Sequence, residues 1–312
     1  MPASAALRVG AVLPLVLAGR YVVGGELSGD PMTTVHRGYD NFLSRDVTIT
    51  ILRDDWAIDE AKVALFVSLY VARGSLVHPG IVGTFEVGSS EVTGRPAHWA
   101  VGESVAAPNL DRFAMPGSWA QGWPDRVLHL ALQTARAMKY AHLSGAVHGD
   151  LGPATVLLET ELRETDAASA EPRIRITGFG PPVTDVASAS DSPTTAQIRQ
   201  WFSEHLQYPP PEHGAGQLPT RRSDIFGFGC VLAALLLLGE HTGPRDRTGS
   251  ATGSATGDDV TRDFAADTLG QLHAIANQAM SDNPEERQHS FSEVIEQLRS
   301  VGMHRGGEQR ER

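Results

Sequence analysis

The sequence predicts an α+β chain in two lobes, an antiparallel five-stranded sheet with one helix followed by a mainly helical half. Two patterns carry this reading. Short runs rich in β-branched residues, bounded by Gly, Pro and Asp, fill the first third of the chain. From Pro124 onward the apolar residues recur mostly at helical spacing.

The strands come first. "RYVVGGEL", "MTTVHRGYD" and "DVTITIL" read as three strands, and "GIVGTFEVG" and "PAHWAV" as two more. Ile58 to Leu76 between them has helical periodicity. "PDRVLHLALQTARAMKYAHLSG" then predicts a long helix. Pro124 and Asp125 stand at its start, Gly145 follows its end, and Val127, Leu130, Ala131 and Met138 form its apolar stripe. "TVLLE" and "RIRITGF" read as strands around a polar turn. "SDIFGFGCVLAALLLLG" is apolar on all sides, which suits a central helix. "TLGQLHAIANQAM" and "SFSEVIEQLRSVG" are amphipathic helices, the second capped by Ser290 or Ser292. The expected organisation is a lead-in over 1–19 and one domain over 20–301. Its lobes cover about 20–103 and 104–301, with a mobile GSAT-GSAT insertion at about 241–260 and a disordered tail over 302–312.

Composition removes several classes. With 312 residues and a net charge of −11, the chain lacks the basic balance of a nucleic-acid binder, although a local basic patch is compatible with it. Cys230 is the sole cysteine, so no internal disulfide and no cysteine-built zinc site can form. The run Cys230 to Leu238, even extended back to Ile225, is shorter than the ~20 residues of a membrane span. "GAVLPLVLAG" reads as a lead-in to the first strand. A signal core is the alternative, with only Arg8 flanking it and Pro14 interrupting it. Lysine occurs only at Lys62 and Lys139, so most lysine-based chemistry has no candidate residue.

Six segments, in order, resemble a protein kinase of the bacterial eukaryotic-like Ser/Thr type. "LVHPGIVGTFEVG" resembles the stretch after that family's N-lobe helix, and "HGDLGPATVLL" its HRDLKPxNxLL catalytic loop. "ITGFG" resembles the DFG strand end and "YPPPE" the APE motif. "SDIFGFG" resembles the start of the central C-lobe helix, and "NPEERQHSF" the closing NPxxRPSF. The resemblance covers about 20–301 and implies the bilobal kinase fold.

It also implies a site, and most of that site is replaced. Phosphoryl transfer needs held phosphates, bound magnesium, neutralised charge and an oriented hydroxyl. The three glycines of the phosphate-covering loop fall on Ser28, Asp30 and Thr33, and Asp30 brings negative charge there. The strand lysine falls on Thr50 and its glutamate partner on Leu69. The magnesium ligands fall on Gly178 and Thr155, and the catalytic-loop lysine on Gly152. Asp150 is the only retained catalytic-loop acid. Its expected role is vestigial, accepting backbone amides to hold the turn, with residual base chemistry as the alternative. His148 reads as a packing residue. Leu27 and Val35 would form the roof of a degenerate adenine slot and Leu157 its floor, with Thr48 in place of a small alanine. Fold-bearing residues match the family: Glu212 with Arg287, Asp224 beneath the loop, and Pro153 and Phe179 in packing positions.

The leading expectation is a pseudokinase, a regulatory or scaffolding module in bacterial Ser/Thr kinase signalling. It would need no cofactor and no metal, with at most weak, metal-independent ATP binding. A degenerate but active ATP-dependent kinase or other nucleotide-using transferase is the alternative. The resemblance implies protein partners, among them an active Ser/Thr kinase and a forkhead-associated domain protein. It implies a cytoplasmic setting, with membrane contact only through a segment outside this sequence.

Overall fold

The computed structural model describes residues 15–92, 94–114, 122–160, 172–180, 207–215, 217–240 and 258–308. The chain divides into two units. One comprises Met1–Tyr70 with Thr84–Ser104, the other Val71–Gly83 with Val105–Arg312. The division falls inside a helix, so residues 71–83, expected in the N-lobe, group with the helical unit.

The first unit is a six-stranded antiparallel sheet. Its strands are β1 (Val16–Leu17), β2 (Tyr21–Gly29), β3 (Thr33–Asp40), β4 (Arg45–Leu52), β5 (Thr84–Val92) and β6 (Arg95–Glu103), in spatial order β1-β2-β3-β4-β6-β5. The sixth strand corrects the expected five: two residues of the lead-in pair with β2. So short a strand has no alternation for sequence to display. On β4, Val47 and Ile49 join Leu17, Tyr21, Trp99 and Val101 in one buried cluster. Alternation places Thr48, Thr50 and Leu52 on the opposite face. The β3–β4 turn is fixed by Asp40, which is fully buried. Its carboxylate takes two bonds from Arg20 (2.8 and 2.7 Å) and the amides of Phe42 and Leu43. The Arg20 bonds hold that carboxyl well below the usual range.

Two helices follow β4. The short α1 (Asp54–Ala57) was not expected, and α2 (Glu60–Gly74) lies within the expected 58–76. Asp59 explains where α2 starts, because its carboxylate accepts the free amides of Ala61 and Lys62. Leu65, Phe66 and Leu69 are its buried face.

The second unit is built around α3 (Trp123–Leu143) and α4 (Arg221–Glu240), with the hairpin β7 (Val156–Glu159) and β8 (Arg173–Ile176). The helices α5 (Asp258–Ala279) and α6 (Phe291–Glu308) complete it. The predicted α3 stripe of Val127, Leu130, Ala131 and Met138 is fully buried. By length and composition alone α4 could cross a membrane over Arg221–Gly239, a stretch that adds Arg221–Asp224 and Gly239 to the apolar run. Its Ile225, Phe228, Val231, Leu232 and Leu235 are instead buried in the helical core. Gly227 permits its approach to the neighbouring loop: a Cβ there would lie 2.1 Å from the Leu151 carbonyl oxygen. Of the two expected caps, Ser290 is the one at the start of α6, within 3.5 Å of the Glu293 amide. That helix runs on to Glu308, into the segment expected as a disordered tail. Most of the expected insertion at 241–260 lies outside the described residues, and its last three belong to α5.

One ion pair ties this unit together. Arg287, 1% exposed, donates to both carboxylate oxygens of Glu212 at 2.7 Å and to the carbonyls of Ser281 and Arg222. Burial pushes the Glu212 carboxyl up, but the Arg287 bonds outweigh it and hold the group below its ordinary value. Arg287→Ala would strand Glu212 without its cation. The expected loss is about 3–5 kcal/mol, measured by denaturant unfolding.

Candidate functional site

The loop that resembles a catalytic loop is held from below. Asp224, in the first turn of α4, accepts the amides of His148 and Gly149 and contacts His142 Nε2, each at 2.8 Å. Gly149 sits at a φ of 81°, where a side chain would be strained. His148 is fully buried, with its ring 4.5 Å from that of Phe179. Burial lowers its imidazole to about 4, so it is neutral at physiological pH. Nδ1 accepts the Asp150 amide, which leaves Nε2–H to donate to the Thr177 carbonyl. His148 is thus the packing residue that the sequence suggested.

Pro153 opens a single 3-10 turn that ends at Thr155. The Thr155 hydroxyl accepts the Gly152 amide at 3.1 Å and points its hydrogen at the carbonyls of Gly152 and Asp150. Its hydrogen and one of its two lone pairs are therefore used within the loop. Gly178, at a φ of 82°, has no side chain, and a Cβ there would lie 3.2 Å from Thr155 Cγ2. Magnesium wants hard oxygen ligands, usually carboxylates. Gly178 and Thr155 do not fit that ion, and among the described residues no group of three acidic, His or Cys side chains does.

Asp150 is half-buried. The turn is held by Asp224 and Thr155, and the Asp150 carboxylate accepts a backbone amide as expected, but one from outside the loop. That carboxylate reaches outward, where Oδ1 accepts the Gln207 amide at 3.2 Å. Burial raises its pKa to about 7, opposed by the Gln207 bond and reinforced by Asp224. Next to it, the Tyr208 ring occupies the space beside Gly152. A Cβ on Gly152 would meet Tyr208 Cδ2 at 2.6 Å. The Tyr208 hydroxyl donates to Asp111 at 2.9 Å.

In the sheet unit, the β2–β3 hairpin is present without glycines at the three phosphate-loop positions. The Asp30 carboxylate accepts the amides of Met32 (2.8 Å) and Thr33 (2.5 Å) and the Thr33 hydroxyl. Arg53 donates to the Asp30 carbonyl at 2.7 Å. The amides at this tip are thus bonded to the chain's own acid. Thr50 and Leu69 are buried, 9% and 1% exposed. Of the expected adenine-slot residues, Leu27 is 51% exposed on β2. Val35 pairs with Thr50 across β3–β4, and Thr48 lies half-buried between Arg37 and Gly102. Leu157, in the helical unit, is half-buried on β7 and bridged to Asn109. Three participants escaped sequence reasoning: Gln207, Tyr208 and the turn-forming role of Asp30. For Asp30 a signal existed, since Asp followed by Pro is a turn dipeptide whose side chain can take amides ahead.

A family model described as protein tyrosine and serine/threonine kinase matches residues 33–298. The chain is 27% identical over 301 residues to serine/threonine-protein kinase PknB of Mycobacterium tuberculosis, covering 94% of this chain and 44% of PknB. It is 30% identical over 224 residues to a probable serine/threonine-protein kinase of Streptomyces coelicolor, covering 72% and 31%. PrkC of Bacillus subtilis is 28% identical over 220 residues. The chain therefore spans less than half the length of these relatives. The crystal structure of the Mycobacterium tuberculosis PknI kinase domain is similar in fold, with a TM-score of 0.56 at 21% identity. It covers 92% of this chain and 98% of that one.

The raised Asp150 pKa has a thermodynamic consequence. Between its ordinary value and about 7 the folded state holds a proton that the unfolded state has released. The protonated carboxyl therefore favours folding at low pH, and this contribution is lost as pH rises through about 7. Asp150→Asn keeps an acceptor for Gln207 and removes the charge. Its melting temperature should match the parent's at about pH 4 and exceed it at about pH 8, as read by calorimetry across that range.

Proposed function

The chain belongs to the protein tyrosine and serine/threonine kinase family, and we propose that it is a catalytically silent member that regulates or scaffolds bacterial Ser/Thr kinase signalling. The observation that carries this reading is the state of the two metal positions. Gly178 offers no side-chain ligand, and the Thr155 hydroxyl, a weak ligand without a charge, is already bonded to the backbone of Gly152 and Asp150. The Asp30 bonds at the hairpin tip and the buried Thr50 and Leu69 support it from the other unit. The fold-bearing contacts of Asp224 and of Glu212 with Arg287 are intact meanwhile. A domain so built works by binding.

Its proposed partners are proteins, an active Ser/Thr kinase and a forkhead-associated domain that reads phosphothreonine. The contact would use the segment 181–207, rich in Ser and Thr (Ser188, Ser190, Ser192, Thr194, Thr195), nearly all of which lies outside the described residues. A phosphate there would add about −1.5 to −2 charge. The setting is cytoplasmic, with any membrane contact made through another segment. One observation favours the second reading, a degenerate but active transferase. A carboxyl at about 7, as on Asp150, suits a general base.

Two measurements separate these readings. Thermal shift with ATP, with and without Mg²⁺, should give no metal-dependent stabilisation. Radiolabelled ATP should place no phosphate on the chain above an Asp150→Ala control, because each lost electrostatic group costs about 10² or more in rate. Metal-dependent incorporation that Asp150→Ala abolishes would instead establish the transferase.

A further inference from the structure

A domain that works by binding needs a surface, and the helical unit holds one outside the catalytic loop. A cavity of about 120 Å³ lies between the end of α2, the loop after α3 and Phe179 with Gly180. Leu76 and Phe179 form its buried wall, Ala146 and Val147 are half-buried, and Ser144 and Gly145 are exposed at its mouth. A Cβ on Gly145 would meet nothing within 4 Å among the described residues, so the mouth is open on that side. Val71, Val77 and Leu143 are 58%, 80% and 79% exposed. Each is the chain neighbour of a lining residue: Ala72, Leu76 and Ser144. The Val77 amide donates to the Tyr140 hydroxyl at 3.2 Å, which ties that segment to α3 just ahead of Leu143. Scattered apolar side chains on a surface are ordinary, whereas three beside one cavity mark an interaction site.

Size and charge select the occupant. An apolar cavity of ~150 Å³ takes up one benzene molecule, so this smaller one suits a branched aliphatic side chain better than an aromatic ring. Arg73 is the one charged side chain among the described lining residues. Its Nε–H donates to the Phe179 carbonyl at 2.6 Å, which fixes the guanidinium at the wall. We propose that this cavity is a docking site for a partner protein's peptide that presents a Leu or Ile side chain beside an acidic residue. The aliphatic side chain enters against Leu76, Val147 and Phe179, and the peptide on either side of it covers Val77 and Leu143. The acid lies toward Arg73, and its preference needs only the charge of that residue. The proposal rests on the reading that this domain works by binding, and it adds a surface distinct from the segment 181–207.

The test uses no nucleotide, so its failure is distinct from a failure of the silent-kinase reading, which incorporation of phosphate from ATP decides. Three dye-labelled peptides share Gly-Ser flanks and carry the cores Asp-Leu-Asp, Lys-Leu-Lys and Asp-Ser-Asp, and fluorescence anisotropy gives their affinities for the full chain. The Asp-Leu-Asp peptide should bind, and Lys-Leu-Lys should bind about tenfold more weakly, a gap that narrows with added salt. Asp-Ser-Asp should lose about tenfold or more with its aliphatic group. Val77→Ser and Leu143→Ser change exposed positions, which spares the fold, and each should weaken Asp-Leu-Asp binding about threefold. Ile58→Ser, at an exposed apolar position of the sheet unit, should leave it unchanged. Arg73→Gln should bring the acidic and basic peptides to equal affinity. Should that variant fail to fold, the salt dependence in the parent carries the same test. The proposal is overturned by absence of Asp-Leu-Asp binding up to about 1 mM. It is overturned equally if the three peptides bind alike, or if neither Val77→Ser nor Leu143→Ser weakens the complex.

Discussion

The Asp224 carboxylate is the contact on which the catalytic loop depends. It is 1% exposed, and it joins the start of α4 to the backbone of His148 and Gly149 and to His142 on α3. A buried carboxylate is tolerable only when its lone pairs are used, and three bonds of 2.8 Å use them. The geometry of the loop follows. With His148 and Gly149 pinned, Leu151 packs where Gly227 leaves space, and Pro153 turns the chain so that Thr155 can close it. None of these contacts needs a lysine, an asparagine or a metal. The shape of a catalytic loop and its chemistry rest on different atoms, so one can be kept while the other is lost.

The same separation runs through the sheet unit. Thr50 and Leu69 are buried positions, and a lone charge at either would cost several kcal/mol of desolvation. A lysine there is tolerable only with its glutamate, so losing both is less damaging than losing one. At the hairpin tip the logic differs. Backbone amides that would meet phosphates need acceptors in any case, and the Asp30 carboxylate supplies them. Its charge does not merely repel a phosphate, for it also satisfies the donors a phosphate would have used.

Much of this was legible in the sequence, and the reason differs from residue to residue. Val127, Leu130, Ala131 and Met138 announce α3 because a helix must bury one face at a fixed period. Glu212 and Arg287 could be paired from motif resemblance alone, 75 residues apart, and they meet at 2.7 Å. β1 was invisible because two residues cannot display alternation, and its pairing depends on β2 already being in place. The true extent of α6 was hidden by Gly302, Gly306 and Gly307 near its end, which lower helix propensity without forbidding a helix. The Gln207–Asp150 and Tyr208–Gly152 contacts had no local signature at all. They join segments more than 50 residues apart through a backbone amide and a ring face.

Asp150 shows why a retained residue is ambiguous when its neighbours have changed. A carboxyl held at about 7 is the kind of perturbation that marks functional sites. Here the cause is desolvation, with Asp224 adding repulsion from below. A carboxylate beside a catalytic lysine would be pulled the other way by the opposite charge. The elevated value is therefore what replacing that lysine by Gly152 should leave behind, and it arises whether or not any proton is moved in a reaction. The contact that opposes it, the Gln207 amide, comes from the segment that also brings Tyr208 onto Gly152.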